Sequence, residues 1–188
     1  AALKNIICYD SLVYWVTYGN GFGIYNTLTD SYTSFMSSGD TGTEGEIEET
    51  NVILRDMNGN EWVGTESGLI MRLSGANDFK DVISPNSVEI PLSSVNITFL
   101  SEEQQGRYVL MNSVGELLRF SLEENGSFRF DNLLYDVPKH SEQMIYLTSE
   151  EIWTVSSQGV HRKVLSDKME IVYEEEDGLL GTEFTWLA

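Results

Sequence analysis

The sequence predicts an all-β protein: about four four-stranded blades in succession, forming a segment of a larger β-propeller. Three observations lead there. Four segments overlay without gaps on the anchors Trp15, Trp62, Val109 and Trp153, spaced by 47, 47 and 44 residues, and each anchor is followed six positions later by a glycine (Gly21, Gly68, Gly115, Gly159). A period of roughly 40 to 50 residues filled with short strands is the signature of propeller blades. Each repeat divides into short runs rich in Ile, Val, Leu and Tyr bounded by turn residues, and amphipathic helix patterns are nearly absent.

The innermost strands are expected at Asn5 to Asp10, Asn51 to Asp56, Asn96 to Ser101 and Gln143 to Ser149, apolar on both faces as strands packed between blades should be. Second strands carry the anchors: Tyr14 to Thr17, Glu61 to Thr65, Tyr108 to Met111 and Ile152 to Val155. Third strands follow the repeating glycine, as in Leu69 to Leu73 and Glu116 to Leu122. The outermost include Tyr32 to Met36, Phe79 to Ile83, Ser127 to Phe130 and Met169 to Tyr173. Asn58-Gly59 and Asn125-Gly126 suit tight turns that need positive φ, and Ser67-Gly68 turns a second strand into a third. Glu102 to Gly106 is polar enough for a longer hairpin loop. Pro85, Pro91 and Pro138 fall in connections between blades, where no ladder hydrogen bond is lost.

The blades are therefore expected over residues 1–50, 51–94, 95–142 and 143–181, with 182–188 beginning a further blade, all in one propeller domain. A blade cannot hide its own apolar faces and is stable only when stacked on neighbours. Four blades rarely close a ring, so the chain is expected to belong to a larger propeller. The start at Ala1-Ala2 and the end at Leu187-Ala188 fit truncation.

Composition narrows the partners. With 11 Lys and Arg against 30 Asp and Glu, the net charge of −19 disfavours nucleic acid and anionic membrane surfaces, which are bound through basic residues. No apolar run approaches the roughly 18 residues needed to span a bilayer, so no direct membrane contact is expected. Cys8 is the single cysteine, which excludes an intrachain disulfide framework and a thiolate metal cluster.

Asp56 to Leu69, running Asp-Met-Asn-Gly-Asn-Glu-Trp-Val-Gly-Thr-Glu-Ser-Gly-Leu, resembles the two-component regulator propeller repeat. That pattern is Asp, two residues, Gly-Asn, one residue, Trp-Ile/Val-Gly-Thr, then Gly-Leu. The copy at Trp15 has Thr17 where the glycine would stand, the third replaces Trp by Val109, and the fourth lacks the Gly-Thr pair. Glu176 to Thr185 resembles the segment leading into the closing blade of the second propeller in large sensors of this family. The resemblance implies seven-bladed propellers in the periplasmic sensor region of a Bacteroides-type hybrid two-component histidine kinase, followed by an all-β domain, a membrane helix and kinase and response-regulator modules. It implies a sensing role for glycan fragments. The implied partners are an oligosaccharide, the remaining blades and domains of the parent chain, and a second copy of the parent in a homodimer.

Residues that make the repeat are expected to be structural. Asp10 and Asp56, with Ser101 and Ser149 in the same role, are assigned as turn acceptors, and Trp15, Trp62 and Trp153 as packing between blades. Trp186 stands outside the series. Residues that break the repeat are better candidates for binding. Loops joining second to third strands gather with the blade-to-blade connections around the channel mouth, and they offer Tyr18, Asn20, Glu66, Asn112, Ser113, Ser157 and Gln158 as ligand contacts. These are mostly neutral donors and acceptors, suited to a sugar.

The acidic runs Asp40 to Glu49 and Glu174 to Asp177 lack the alternating ligands of a calcium loop. His140 and His161 have no ligand-spaced partner, so no metal or other cofactor is expected. Asn96-Ile97-Thr98 and Asn125-Gly126-Ser127 match glycosylation acceptors by chance. No Gly-x-Ser-x-Gly elbow appears. The leading expectation is a non-catalytic sensor segment. The alternatives are a propeller polysaccharide lyase or glycosidase and a protein-binding scaffold.

Overall fold

A computed structural model of the chain describes residues 3–17, 21–35, 49–82, 95–136, 141–147, 151–156, 159–164, 169–174 and 177–178. Pro85, Pro91, Pro138, His140, Ser149, Trp186 and most of the run Asp40 to Glu49 lie outside the described residues. Among the described residues, sixteen strands form four separate four-stranded antiparallel meanders, each in chain order. The first is β1 (Leu3–Tyr9), β2 (Leu12–Thr17), β3 (Phe22–Asn26) and β4 (Ser31–Phe35). The second is β5 (Thr50–Arg55), β6 (Glu61–Thr65), β7 (Leu69–Arg72) and β8 (Lys80–Asp81). The third is β9 (Ile97–Gln104), β10 (Arg107–Asn112), β11 (Glu116–Leu122) and β12 (Phe128–Asp136). The fourth is β13 (Ser141–Leu147), β14 (Glu151–Ser156), β15 (Gly159–Val164) and β16 (Glu170–Tyr173). Every regular element among the described residues is a strand.

The chain forms two compact units, Ala1–Ser113 with Leu118–Leu134, and Val114–Leu117 with Tyr135–Ala188. In the first, the sheets stack face to face through two apolar layers. Tyr14, Val16, Phe22 and Ile24 of the first sheet meet Ile53 and Val63 of the second. The other face of the second sheet, with Trp62, Leu69 and Met71, meets Ile97, Leu100, Tyr108, Leu110, Leu118 and Phe120 of the third. Trp62 is fully buried against the rings of Tyr108 and Phe120, at centroid distances of 4.5 and 5.6 Å. Such aromatic pairs add about 0.5–1.5 kcal/mol each beyond the area they bury. Gly64 allows this approach, because a Cβ there would lie 2.8 Å from Ile97 Cγ2 and 2.7 Å from Val52 Cγ1.

The first repeat departs from the gapless overlay. Thr17 N and Oγ1 both donate to Gly21 O, as Thr65 N and Oγ1 donate to Gly68 O, so Thr17 occupies the place of Thr65. Tyr14, not Trp15, therefore stands where Trp62 does. The connection 18–20 is one residue longer than 66–67, and aligning on the following glycine slips the strand by one, which exchanges its two faces. Trp15 consequently lies on the face turned away from the second sheet, over Gly23, where a Cβ would meet its ring at 2.0 Å. In the fourth sheet Trp153 stacks on Tyr173 of its own sheet, with centroids 5.8 Å apart and planes at 4°. The indole Nε1 donates to Glu151 Oε2, and Arg162 lies over the ring.

Two further expectations are corrected. Glu102 to Gly106 is not a long loop: β9 and β10 pair out to Gln104 and Arg107, leaving a two-residue turn. Their polar side chains are fastened there, since Glu103 pairs with Arg119 and Glu102 accepts from Gly106 N at 2.9 Å and Met57 N at 2.7 Å. Ser101 is not a turn acceptor but sits within β9 opposite Val109. The turn assignment does hold for Asp56, whose Oδ1 accepts from Asn58 N and Asn60 N at 3.0 and 2.8 Å. Asn58-Gly59 and Asn125-Gly126 carry the expected positive φ at glycine, 79° and 81°, and Ser67-Gly68 turns β6 into β7 as expected.

Candidate functional site

The second-to-third strand loops meet the starts of the inner strands at one end of the stacked sheets. Glu66 N donates to Glu49 O at 3.0 Å and Ser113 N donates to Asn96 O at 2.9 Å, the same bond in successive repeats. Each inner strand of the first unit carries a register shift just inside this end, leaving Lys4, Asn51 and Thr98 as the extra residues. A bulge bends its strand and re-aims the extra side chain, which is why bulges gather at rims and binding sites.

The bulged side chains connect the sheets. Lys4 Nζ donates to Asn51 Oδ1 at 2.5 Å, and Asn51 Nδ2 donates to Asn96 Oδ1 at 2.8 Å, a polar ladder running from the first sheet to the third. Burial pulls the Lys4 ammonium below its usual pKa, while Glu49 and Glu66 act in the opposite sense. The ammonium, the carboxamides and the flanking carboxylates give alternating donors and acceptors along the rim. Such a surface can satisfy a ligand that carries several hydroxyl groups.

Of the expected contact residues, Glu66 and Ser113 are exposed on this rim, and Asn112 is buried beneath it at 1% exposure, opposite Ile97. Tyr18, Asn20, Ser157 and Gln158 lie outside the described residues. Sequence reasoning missed Lys4, Glu49, Asn51 and Asn96. A signal was present: Lys4, Asn51, Thr98 and Glu142 are polar residues at the same 47, 47 and 44 spacing as the anchors, and a shift recurs between Ser141 and Gln143.

Among the described residues no group of three or more His, Cys, Asp or Glu is placed to hold a metal ion. His161, buried in the second unit, has its Nδ1 3.4 Å from Glu170 Oε1, within its own sheet.

No family model matches the chain. Its sequence is 28% identical to histidine kinase P4 of Formosa agariphila over 193 aligned positions, covering 93% of this chain and 13% of that protein. Its fold is similar to extracellular domains from B. thetaiotaomicron assigned to the hybrid two-component systems BT4673 and BT3049. The TM-scores are 0.63 and 0.60, the identities 13% and 15%, and the matches cover 94% and 90% of this chain but 23% of each of those chains. A virginiamycin B lyase from Staphylococcus aureus also shares the fold, at TM-score 0.59 and 12% identity, over 92% of this chain and 55% of the lyase. The chain thus spans about an eighth of the curated relative and under a quarter of those extracellular domains. It is a β-propeller segment, similar in sequence to a histidine kinase and in fold to the extracellular domains of Bacteroides hybrid two-component systems.

Proposed function

We propose that this chain is part of the periplasmic sensor region of a hybrid two-component histidine kinase, that it is itself non-catalytic, and that its ligand is a glycan fragment. The sequence similarity to a histidine kinase along 93% of the chain carries the sensor assignment. The rim of Lys4, Asn51 and Asn96, with Glu66 and Ser113 beside it, supports a polyhydroxylated ligand. Tyr18, Asn20, Ser157 and Gln158 complete the proposed contact set, while Asn112, buried beneath the rim, supports it from below rather than touching the ligand. The acidic balance favours a neutral sugar at this end. A ligand shifts the sensor only by the difference in its affinity for two states, so the parent protein would respond as a homodimer with two arrangements.

The test is calorimetric titration of the intact parent protein with a panel of neutral oligosaccharides. A binding sugar whose affinity falls about threefold to tenfold in Glu66→Ala or Ser113→Ala supports the proposal. Wild-type affinity in both variants rejects the rim. The fold shared with a lyase motivates the second reading, a polysaccharide-cleaving propeller. New reducing ends or unsaturated products on incubation with the same panel would favour that reading over the sensor.

A further inference from the structure

Arg55 ends β5 at the opposite end of that strand from the rim, where two hollows of 370 and 250 Å³ open side by side. Both are lined by Arg55, Gly59 and Ser74; Tyr9, Asp10 and Met57 line the larger, Glu61 and Arg72 the smaller. The guanidinium is loosely held. Its Nη1 donates to Tyr14 Oη at 3.3 Å and stands 3.9 Å from Glu61 Oε1, while Nη2 and Nε donate to no acceptor among the described residues.

Two of the neighbouring carboxylates are committed elsewhere. Glu61 accepts from Tyr14 Oη at 2.5 Å and from Arg72 Nε at 2.6 Å. Asp56 accepts from Asn58 N, Asn60 N, Asn60 Nδ2, Trp62 Nε1 and Tyr108 Oη. Asp10 acts on Arg55 through space alone. Gly59 keeps the site open, since a Cβ there would stand 3.2 Å from both Arg55 Nη2 and Ser74 Oγ. A guanidinium fork beside a hydroxyl, in a hollow with a Tyr9 wall and an exposed Met57 rim, is the donor set that binds a carboxylate in bidentate fashion. In a chain of net charge −19, so weakly matched a cation in a concave site stands out.

We propose that Arg55 and Ser74 form a carboxylate-binding subsite for a small ligand, the acid group coming from a uronic acid or from an acidic amino-acid side chain. This subsite is independent of the rim and of what binds there. Saturation-transfer difference NMR on the intact protein at an ionic strength of about 0.15 M would use three probes: sodium D-glucuronate, the α-amide of N-acetyl-L-aspartate, and D-glucose as the neutral control. The expected result is saturation of at least one carboxylate and not of glucose, with affinity reduced about tenfold by Arg55→Gln. Which carboxylate is saturated identifies the source. Asn58→Asp, at an exposed position whose Oδ1 still accepts from Gln105 Nε2, adds a negative charge at the hollow and should weaken binding without touching Arg55. It decides the question if Arg55→Gln does not fold. Saturation of glucose equal to that of the acids, no saturation of either acid, or unchanged binding in the variants overturns the proposal.

Discussion

Asp56 concentrates more of this structure in one side chain than any other described residue. Its Oδ1 closes the β5–β6 turn by accepting from Asn58 N and Asn60 N, and its Oδ2 holds the Trp62 indole at 3.0 Å and the Tyr108 hydroxyl of the next sheet at 2.6 Å. Asp56→Ala would leave these donors buried and unmatched, and we expect a loss of about 3 kcal/mol in stability by denaturant titration. A near-wild-type midpoint would contradict that account. Two glycines provide a sharper contrast. Gly64→Ala drives a methyl into Val52 and Ile97 inside the core, at an expected cost of about 1–3 kcal/mol. Gly23→Ala meets only the far end of the half-buried Trp15 ring, which can swing toward solvent, so a smaller loss is expected from the same measurement. The acceptor role of Asp56 was readable from Asp56-Met57-Asn58-Gly59-Asn60, because a turn acceptor is a local device. Its bond to Tyr108 crosses 52 residues, and no spacing rule announces it.

Between elements, the layer joining the first two sheets has a polar seam as well as an apolar one. Glu61 is 7% exposed and is matched by the Tyr14 hydroxyl and by Arg72, whose guanidinium also lies 5.2 and 4.8 Å from the Phe35 and Phe79 ring centroids. Tyr14→Phe deletes one donor and keeps the ring. A loss of about 1–2 kcal/mol is expected, and combining it with Arg72→Met should be non-additive because both serve the same carboxylate. Strict additivity in that double-mutant cycle would argue against a shared network. The sequence placed β6 and β10 within one residue of their ends, since hydrophobic alternation bounded by turn residues is a short-range signal. It misplaced the face of β2. A one-residue difference in the connection 18–20 cannot be distinguished by overlay from a substitution in the strand, and only the hydrogen bond of Thr17 to Gly21 fixes the register.

For the whole molecule, these buried hydroxyls link stability to alkaline pH. Burial, then the bond to Glu61, pushes the Tyr14 hydroxyl from 10.0 up to about 12, and burial with the bond to Asp56 pushes Tyr108 higher still. A folded-state pKa above the unfolded value stabilises fully below the unfolded pKa and loses that contribution as pH rises through the folded one. Stability should therefore be insensitive to these groups below pH about 10 and fall between about 10 and 12. Tyr14→Phe should flatten part of that decline in denaturation curves collected across the interval. An unchanged slope would mean that the hydroxyl titrates alike in both states.

The sequence alone determined the repeat, its four-stranded meander and the turn chemistry that punctuates it, because each depends on residues within one blade. The run Asp56 to Leu69 also resembles a repeat of two-component regulators, and extracellular domains of Bacteroides hybrid two-component systems share the fold. Only the tertiary structure decided which face of the first sheet meets the second. It alone brought Lys4, Asn51 and Asn96 into one ladder and left Arg55 open between two hollows. Those features arise where separate sheets meet, from bulges and packing between residues a full repeat apart, and local pattern carries no record of which neighbours will be in reach.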